Sequence, residues 1–269
     1  MRYLSLFLKG FLIGIAKIMP GVSGAMLSIS FGVYERVVTV VGNPFKAKLN
    51  DLKFLFILLL GAGCGIVLLC DVIKYLLNNY YLLTVCFFLG LIIGGLPSIF
   101  NEIKESKFNF FDILIFLFSF FFVVFIISLE GGKSSNSNHY FIMGVIESLT
   151  TIIPGISGTA IFMALGWYET VLETIKSVLT FNSSFHVAFY FLSGFIISTI
   201  LISKFLSFSL KKYKKQSYMC TLGFMFASLF EMGLKLLPYL NPNNLFIGIF
   251  TVALGYYITC KLDIFFSNY

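Results

Sequence analysis

Residues 20–35 read PGVSGAMLSISFGVYE, and residues 154–169 read PGISGTAIFMALGWYE. Both obey one pattern, PG[VI]SG-x7-G-x-YE, in register at an offset of 134. Weaker matches follow at an offset of 133, where Gly61 pairs with Gly194 and Gly90 with Gly223. Self-similarity at a fixed spacing marks a duplicated structural unit. The chain therefore divides into a first repeat over 1–130, with its motif at 20–24, and a second over 131–269, with its motif at 154–158.

The surroundings of the two motifs are apolar. The 269 residues are 58% hydrophobic and 12% charged, with a mean hydropathy of +0.95. A soluble domain carries about 25% charged residues. Such a composition excludes a soluble enzyme, a disordered tail and a nucleic-acid binder. Ten apolar segments can be marked: 3–19, 22–42, 54–77, 81–100, 110–129, 140–153, 156–175, 185–208, 217–237 and 245–262. Turn residues and charge separate them, including Asn78-Asn79 and the run from Lys211 to Gln216. Within lipid the backbone must satisfy itself, and these runs are too long and too continuously apolar for barrel strands. The expected fold is an all-α polytopic membrane protein.

Each half holds five segments. If the first two form a re-entrant helical hairpin, about three transmembrane helices remain. Either number is odd, so successive copies enter the membrane in opposite orientations. Inverted repeats of this kind are a transporter architecture. Loop charge agrees with it. Lys46, Lys48 and Lys53 fall in one loop, Lys104 and Lys107 in another, and Lys211, Lys212, Lys214 and Lys215 in a third. Placed on the cytoplasmic side, these leave Lys74, Lys133, Lys176 and Lys235, one per loop, outside. Both termini are then cytoplasmic, and no cleavable leader is expected.

Pro-Gly-x-Ser-Gly within an apolar run ends one helix and starts another. Proline removes a backbone donor and clashes with the preceding turn. Ser23 and Ser157 are placed to cap the next helix through their side-chain oxygens. The segment before Pro154 spans only about 20 Å, too short for a ~30 Å hydrocarbon core. Charge returns twelve residues after the serines, at Glu35-Arg36 and at Glu169. Two re-entrant hairpins entering from opposite faces follow, with tips near the midplane. A helix N-terminus at such a tip exposes N–H groups and partial positive charge, which suits an anion. The candidate anion-binding residues are Pro20, Gly21, Ser23 and Gly24, their counterparts Pro154, Gly155, Ser157 and Gly158, and the cations Lys17 and Arg36.

Each of these has a plainer reading. A lone PG-x-SG can be a kink. Lys17 can snorkel or pair with a carboxylate. Glu147, an acid inside a short apolar helix, can carry a proton or pair with Lys17. Glu35 and Glu169 can be coupling groups or interfacial anchors. His139 and His186 have no ligand partner at helical spacing, and the five cysteines form no metal pattern. No metal site or cofactor is expected. A membrane enzyme would need a nucleophilic histidine, a metal cluster or a cysteine near arginine, so a transporter is expected instead. The residue pattern alone leaves open an ion-coupled transporter of a small soluble anion.

The runs KGFLIGIAKIMPGVSG (9–24), IIPGISG (152–158) and GLIIGGLP (90–97) resemble the signatures of the PopT-type polyprenyl-phosphate transporter family. This bacterial and archaeal membrane family was formerly of unknown function. The resemblance covers essentially the whole chain. It implies transport of undecaprenyl phosphate, the carrier lipid of cell-envelope synthesis, from the outer to the cytoplasmic leaflet of the bacterial inner membrane. The partners implied are that lipid and the surrounding membrane lipids. Two positions depart from the family pattern: Lys17 stands where many members carry an acid, and Ala25 where they carry glycine. A proton-coupling role at position 17 is therefore not carried over.

Overall fold

Gly32 and Gly166 adopt left-handed backbone, at φ +66° and +69°. They are the shared glycine of the two G-x-YE motifs, and each bends the chain just before a helix. The computed structural model describes residues 2–19, 23–104, 108–128, 139–158, 161–162, 165–179, 181–182 and 184–267. Among the described residues every regular element is helical.

The first half holds α1 (Arg2–Ile18), α2 (Gly24–Ser30), α3 (Tyr34–Gly42), α4 (Leu49–Asn79), α5 (Tyr81–Ile103) and α6 (Phe110–Ser128). The second holds α7 (His139–Ile152), α8 (Tyr168–Leu179), α9 (Phe185–Lys212), α10 (Lys214–Leu236) and α11 (Pro242–Ser267). Between α7 and α8, helical backbone is described at Gly158 and at Ile161 and Phe162. Among the described residues six helices are long and apolar enough to cross a membrane: α4, α5, α6, α9, α10 and α11, three from each half. The bent pair α2 and α3, at 118°, passes the same test jointly.

The chain folds back at the first motif. Gly24 at the start of α2 lies against the Ile13 carbonyl of α1. At the other end of α2, the Phe31 carbonyl accepts from Lys9 Nζ at 3.0 Å. The second motif behaves likewise. Gly158 lies against Thr150 of α7, and Trp167 stacks on His139 at 4.9 Å. Each half therefore begins with a helical hairpin. Nothing surrounds the position of a Cβ on Gly32. Gly32→Ala is accordingly expected to cost only the left-handed penalty, about 1–2 kcal/mol. Thermal unfolding in mild detergent should show a modest fall in Tm with the protein still assembled.

The same contacts recur in both halves. Gly10 lies against the Leu58 carbonyl and Gly61 against that of Phe7, so α1 and α4 pack closely. Gly144 lies against the Phe191 carbonyl and Gly194 against that of Phe141, the same pairs shifted by 134 on the first helix and 133 on the second. Gly14 on Ala62, and Thr199 to Ser148 at 2.8 Å, show that both helix pairs run parallel. The corners match too. Tyr80 alone separates α4 from α5, at φ −135° and ψ 45°; Tyr213 alone separates α9 from α10, at φ −132° and ψ 49°. Thr84 Oγ1 donates to the Tyr80 carbonyl at 2.8 Å, and Ser217 Oγ to that of Tyr213 at 2.9 Å.

These corners correct the expected breaks. Helix continues through Asn78-Asn79, and the lysine run from Lys211 to Gln216 is helical except near Tyr213. Asn79 Nδ2 bonds the Tyr75 carbonyl at 2.9 Å, one turn back. Two lysines of that run form ion pairs: Lys214 pairs with Glu102 at 2.7 Å, and Lys215 with the buried Asp112.

The last two helices of each half pack across the repeat boundary. Gly90 of α5 lies against Val252 and Tyr256 of α11, and Gly94 against Tyr256 and Thr259, so these two helices run parallel. Gly223 of α10 lies against Phe116 and Phe120 of α6. Lys215 beside Asp112 and Phe230 beside Phe120 show that α6 and α10 also run parallel. Helix α3 crosses over as well, placing Gly42 against Ser203 and Lys204 of α9. The apolar core therefore belongs to both halves together.

Candidate functional site

Lys17, in the last turn of α1, faces α7. Its Nζ lies 2.9 Å from Glu147 Oε1. It also donates to Thr151 Oγ1 at 2.6 Å and Thr150 Oγ1 at 3.3 Å. The three donors of the ammonium group thus have three acceptors. The two threonine hydroxyls donate in turn to the Glu147 carbonyl, at 2.6 Å from Thr151 and 3.1 Å from Thr150. Helical spacing makes this possible, because Thr150 and Thr151 sit three and four residues after Glu147 and share its face. Of the two readings open for Glu147, pairing with Lys17 is the one the geometry displays.

Thr151 is the repeat counterpart of Lys17, at the offset of 134. A residue that touches its own counterpart sits where the two halves meet symmetrically. Lys17 and Thr151 do so at 2.6 Å. The site therefore lies at the junction of the two hairpins.

A pocket of about 10 Å³ opens there, lined by Lys17, Met19, Ser23, Gly24, Thr150, Ile156 and Gly158. Both PG-x-SG motifs contribute to it. The volume is at the lower limit for one water molecule, so the junction is closed in this conformation. Ser23 occupies the N-cap position of α2 with extended backbone, at φ −95° and ψ 122°. Its hydroxyl does not make the expected capping bond. Ser23 Oγ is buried with no hydrogen-bond partner, a state that costs about 1–3 kcal/mol. The Ser23 carbonyl instead accepts the Met26 N–H at 3.0 Å. Ser157 is equally buried, and its carbonyl accepts the Ile161 N–H at 3.2 Å.

The other expected site residues separate by location. Gly155 is at the hairpin turn, at φ +84°, but packs against Met225 and Thr221 of α10. Its carbonyl accepts from Ser228 Oγ at 2.8 Å. Pro154 beside it is buried. Glu35 lies away from the pocket, 3.6 Å from Lys214 and 3.2 Å from the Tyr218 hydroxyl. Arg36 also lies apart, where its Nη2 meets Asp51 Oδ1 at 2.8 Å and its guanidinium covers the Phe54 ring. Pro20, Gly21 and the Glu169 side chain lie outside the described residues.

Three contributors went unnoticed in the sequence. Thr150 and Thr151 complete the Lys17 shell, and their i+3, i+4 spacing from Glu147 was the available signal. Tyr34, the tyrosine of the first G-x-YE, donates its hydroxyl to the Ile152 carbonyl at 3.0 Å. That carbonyl is one of the groups a helix leaves unpaired at its C-terminus. The motif tyrosine thus closes the end of α7 from the other half of the molecule.

The chain can be set beside known proteins on this footing. A family model described as VCA0040-like, undecaprenyl phosphate translocase-like, matches residues 13–239. A polyprenyl-phosphate transporter of Staphylococcus aureus is 28% identical over 275 residues, covering 95% of this chain and 94% of that protein. A polyprenyl-phosphate transporter of Vibrio cholerae is 29% identical over 243 residues, covering 85% of this chain and 77% of that protein. No solved structure matches.

Proposed function

Because the chain belongs to the undecaprenyl phosphate translocase-like family, we propose that it moves a polyprenyl phosphate between membrane leaflets, returning undecaprenyl phosphate to the cytoplasmic side. Two relatives named polyprenyl-phosphate transporters, aligned over most of this chain, support the substrate class. The observation that carries the mechanism is the Lys17–Glu147 pair at the junction of the two hairpins, beside the unpartnered Ser23 hydroxyl.

In this reading the halves are inverted repeats in the bacterial inner membrane, with both termini cytoplasmic. Helix direction supports inversion. Helices α5 and α11 run parallel, as do α6 and α10, and the one-residue corners at Tyr80 and Tyr213 reverse the chain. Helices α4 and α9 then point in opposite directions. The two hairpins become re-entrant, entering from opposite faces. The phosphate crosses at their tips while the polyprenyl chain stays in lipid.

The chemistry is an exchange of anions on one lysine. All three Lys17 donors are engaged in the closed conformation, so an incoming phosphate must displace Glu147. Charge-assisted bonds of similar strength replace each other, which keeps the barrier low. Ser23 then supplies a donor that has nothing to lose. The freed Glu147 is left to the two threonines or to a proton. Rocking of the two halves about the junction opens the site to each leaflet in turn.

Leaflet exchange in proteoliposomes tests this. Purified protein should accelerate exchange of undecaprenyl phosphate and leave ordinary phospholipid unmoved. Ser23→Ala/Ser157→Ala is expected to lower the rate about tenfold while Tm is kept, since a hydrogen bond to a charged group is worth ~1.5–3 kcal/mol. Full activity in that variant would remove the serines from the path. Absence of exchange by the folded wild type would remove the reading itself.

A further inference from the structure

A second cavity, of about 350 Å³, lies at the far end of the first hairpin and falls within the size range of ligand pockets, ~300–1,000 Å³. Its walls include Lys9, Arg36, Lys53 and Asn50 together with the apolar Leu6 and Phe54. Helices α1 and α4 are parallel, so both bring their N-terminal turns, the positive ends of their dipoles, to this place.

The charges do not cancel. Arg36 directs Nε and Nη2 to Asp51 Oδ1, at 3.3 and 2.8 Å, leaving three of its five donors. Lys9 Nζ donates to the carbonyls of Phe31 and Phe266, at 3.0 and 3.4 Å, and to no carboxylate. Lys53 is exposed, and among the described residues nothing engages it. Three cations against the one carboxylate of Asp51 leave a charge of +2. A phosphate monoester carries about −1.5 to −2 at pH 7.

The repeat supplies an internal control. The counterparts of Lys9 and Arg36, at the offset of 134, are Met143 and Thr170; that of Lys53, at 133, is His186. Met143 is buried, and the neighbouring space holds the His139–Trp167 stack. The two hairpins therefore differ in charge at this location, as they do at Lys17 and Thr151. Packing requirements common to both copies do not account for the cations.

We propose that the cavity between α1, α3 and α4 is a docking site for a phosphate monoester, and that its presence in one repeat only makes the two faces of the molecule unequal for an anionic headgroup. As a station on a lipid path it rests on the transport reading above. The apolar wall at Leu6 and Phe54 would take the first carbons next to the phosphate.

Binding to the full chain in detergent, followed by calorimetry, tests it with three probes: farnesyl phosphate, inorganic phosphate and farnesol. Lys53→Gln is expected to weaken farnesyl phosphate about tenfold, the worth of one charge-assisted bond. Lys9→Gln should do the same, and His186→Gln should change nothing. Farnesol should show no dependence on Lys53. Tighter binding of farnesyl phosphate than of inorganic phosphate identifies a lipid headgroup as the occupant. Equal binding with the same Lys53 dependence supports the site but names free phosphate. Unchanged affinity in both lysine variants overturns the site, even if leaflet exchange proceeds. Lys53-dependent binding without leaflet exchange keeps the site and overturns the transport reading.

Discussion

Replacing Glu147 by leucine should destabilise the protein by about 2–3 kcal/mol and stop transport. The carboxylate is mostly buried and holds the Lys17 ammonium at 2.9 Å. Breaking a fully buried pair by removing one partner costs ~3–5 kcal/mol, because the other charge is stranded. The cost is smaller here, since the Lys17 side chain keeps 22% of its exposure and two threonine acceptors. Lys17→Met/Glu147→Leu removes both charges and should recover most of the lost stability, because no charge is left stranded. It should still fail to exchange undecaprenyl phosphate, because no cation remains at the junction to receive the headgroup. Thermal unfolding beside leaflet exchange reads the two effects separately. A double variant that is stable and active would show that the pair serves packing alone.

Gly155→Ala should destabilise the second hairpin well beyond what its backbone conformation alone would cost. The residue sits at φ +84°, which alone costs an L residue about 1–2 kcal/mol. A Cβ would also stand 2.8 Å from the Met225 nitrogen and 2.9 Å from the Thr221 oxygen, both backbone atoms of α10. Overpacking of that kind adds about 1–3 kcal/mol, and a helix backbone has no rotamer to escape into. A total near 3–4 kcal/mol is expected, with loss of the Ser228 bond to the Gly155 carbonyl. The comparison is Gly32→Ala, where the space is open and only the backbone term applies. The measurement is the difference in Tm between the two variants in one detergent. Equal losses would mean that the turn does not depend on its seat against α10.

The contrast between these glycines shows how far sequence reading reaches. The repeated G-x-YE marked Gly32 and Gly166 as equivalent positions, and both glycines adopt the left-handed form. Local backbone conformation is legible because it depends on neighbours in the chain. What a Cβ would strike is not legible, because the obstruction at Gly155 comes from a helix about seventy residues away. The serines show the same division. Ser23 has the N-cap position and backbone angles that its neighbours dictate, yet its hydroxyl makes no cap bond. Arg36 looked like a cation for the hairpin tip, being one residue past the motif. It lies in the larger cavity because α3 leaves α2 at 118°.

From its sequence alone this chain is a helical membrane protein, duplicated, with helix breaks at two PG-x-SG motifs and with Lys17 and Glu147 available to each other. Those features follow from composition, periodicity and the backbone limits of proline and glycine, all of them local properties. Tertiary structure decided that α5 pairs with α11 and α6 with α10, that Thr150 and Thr151 complete the Lys17 shell, and that Lys9, Arg36 and Lys53 line one cavity. Such partnerships depend on where helix axes cross, and a crossing is set by side chains from both helices at once.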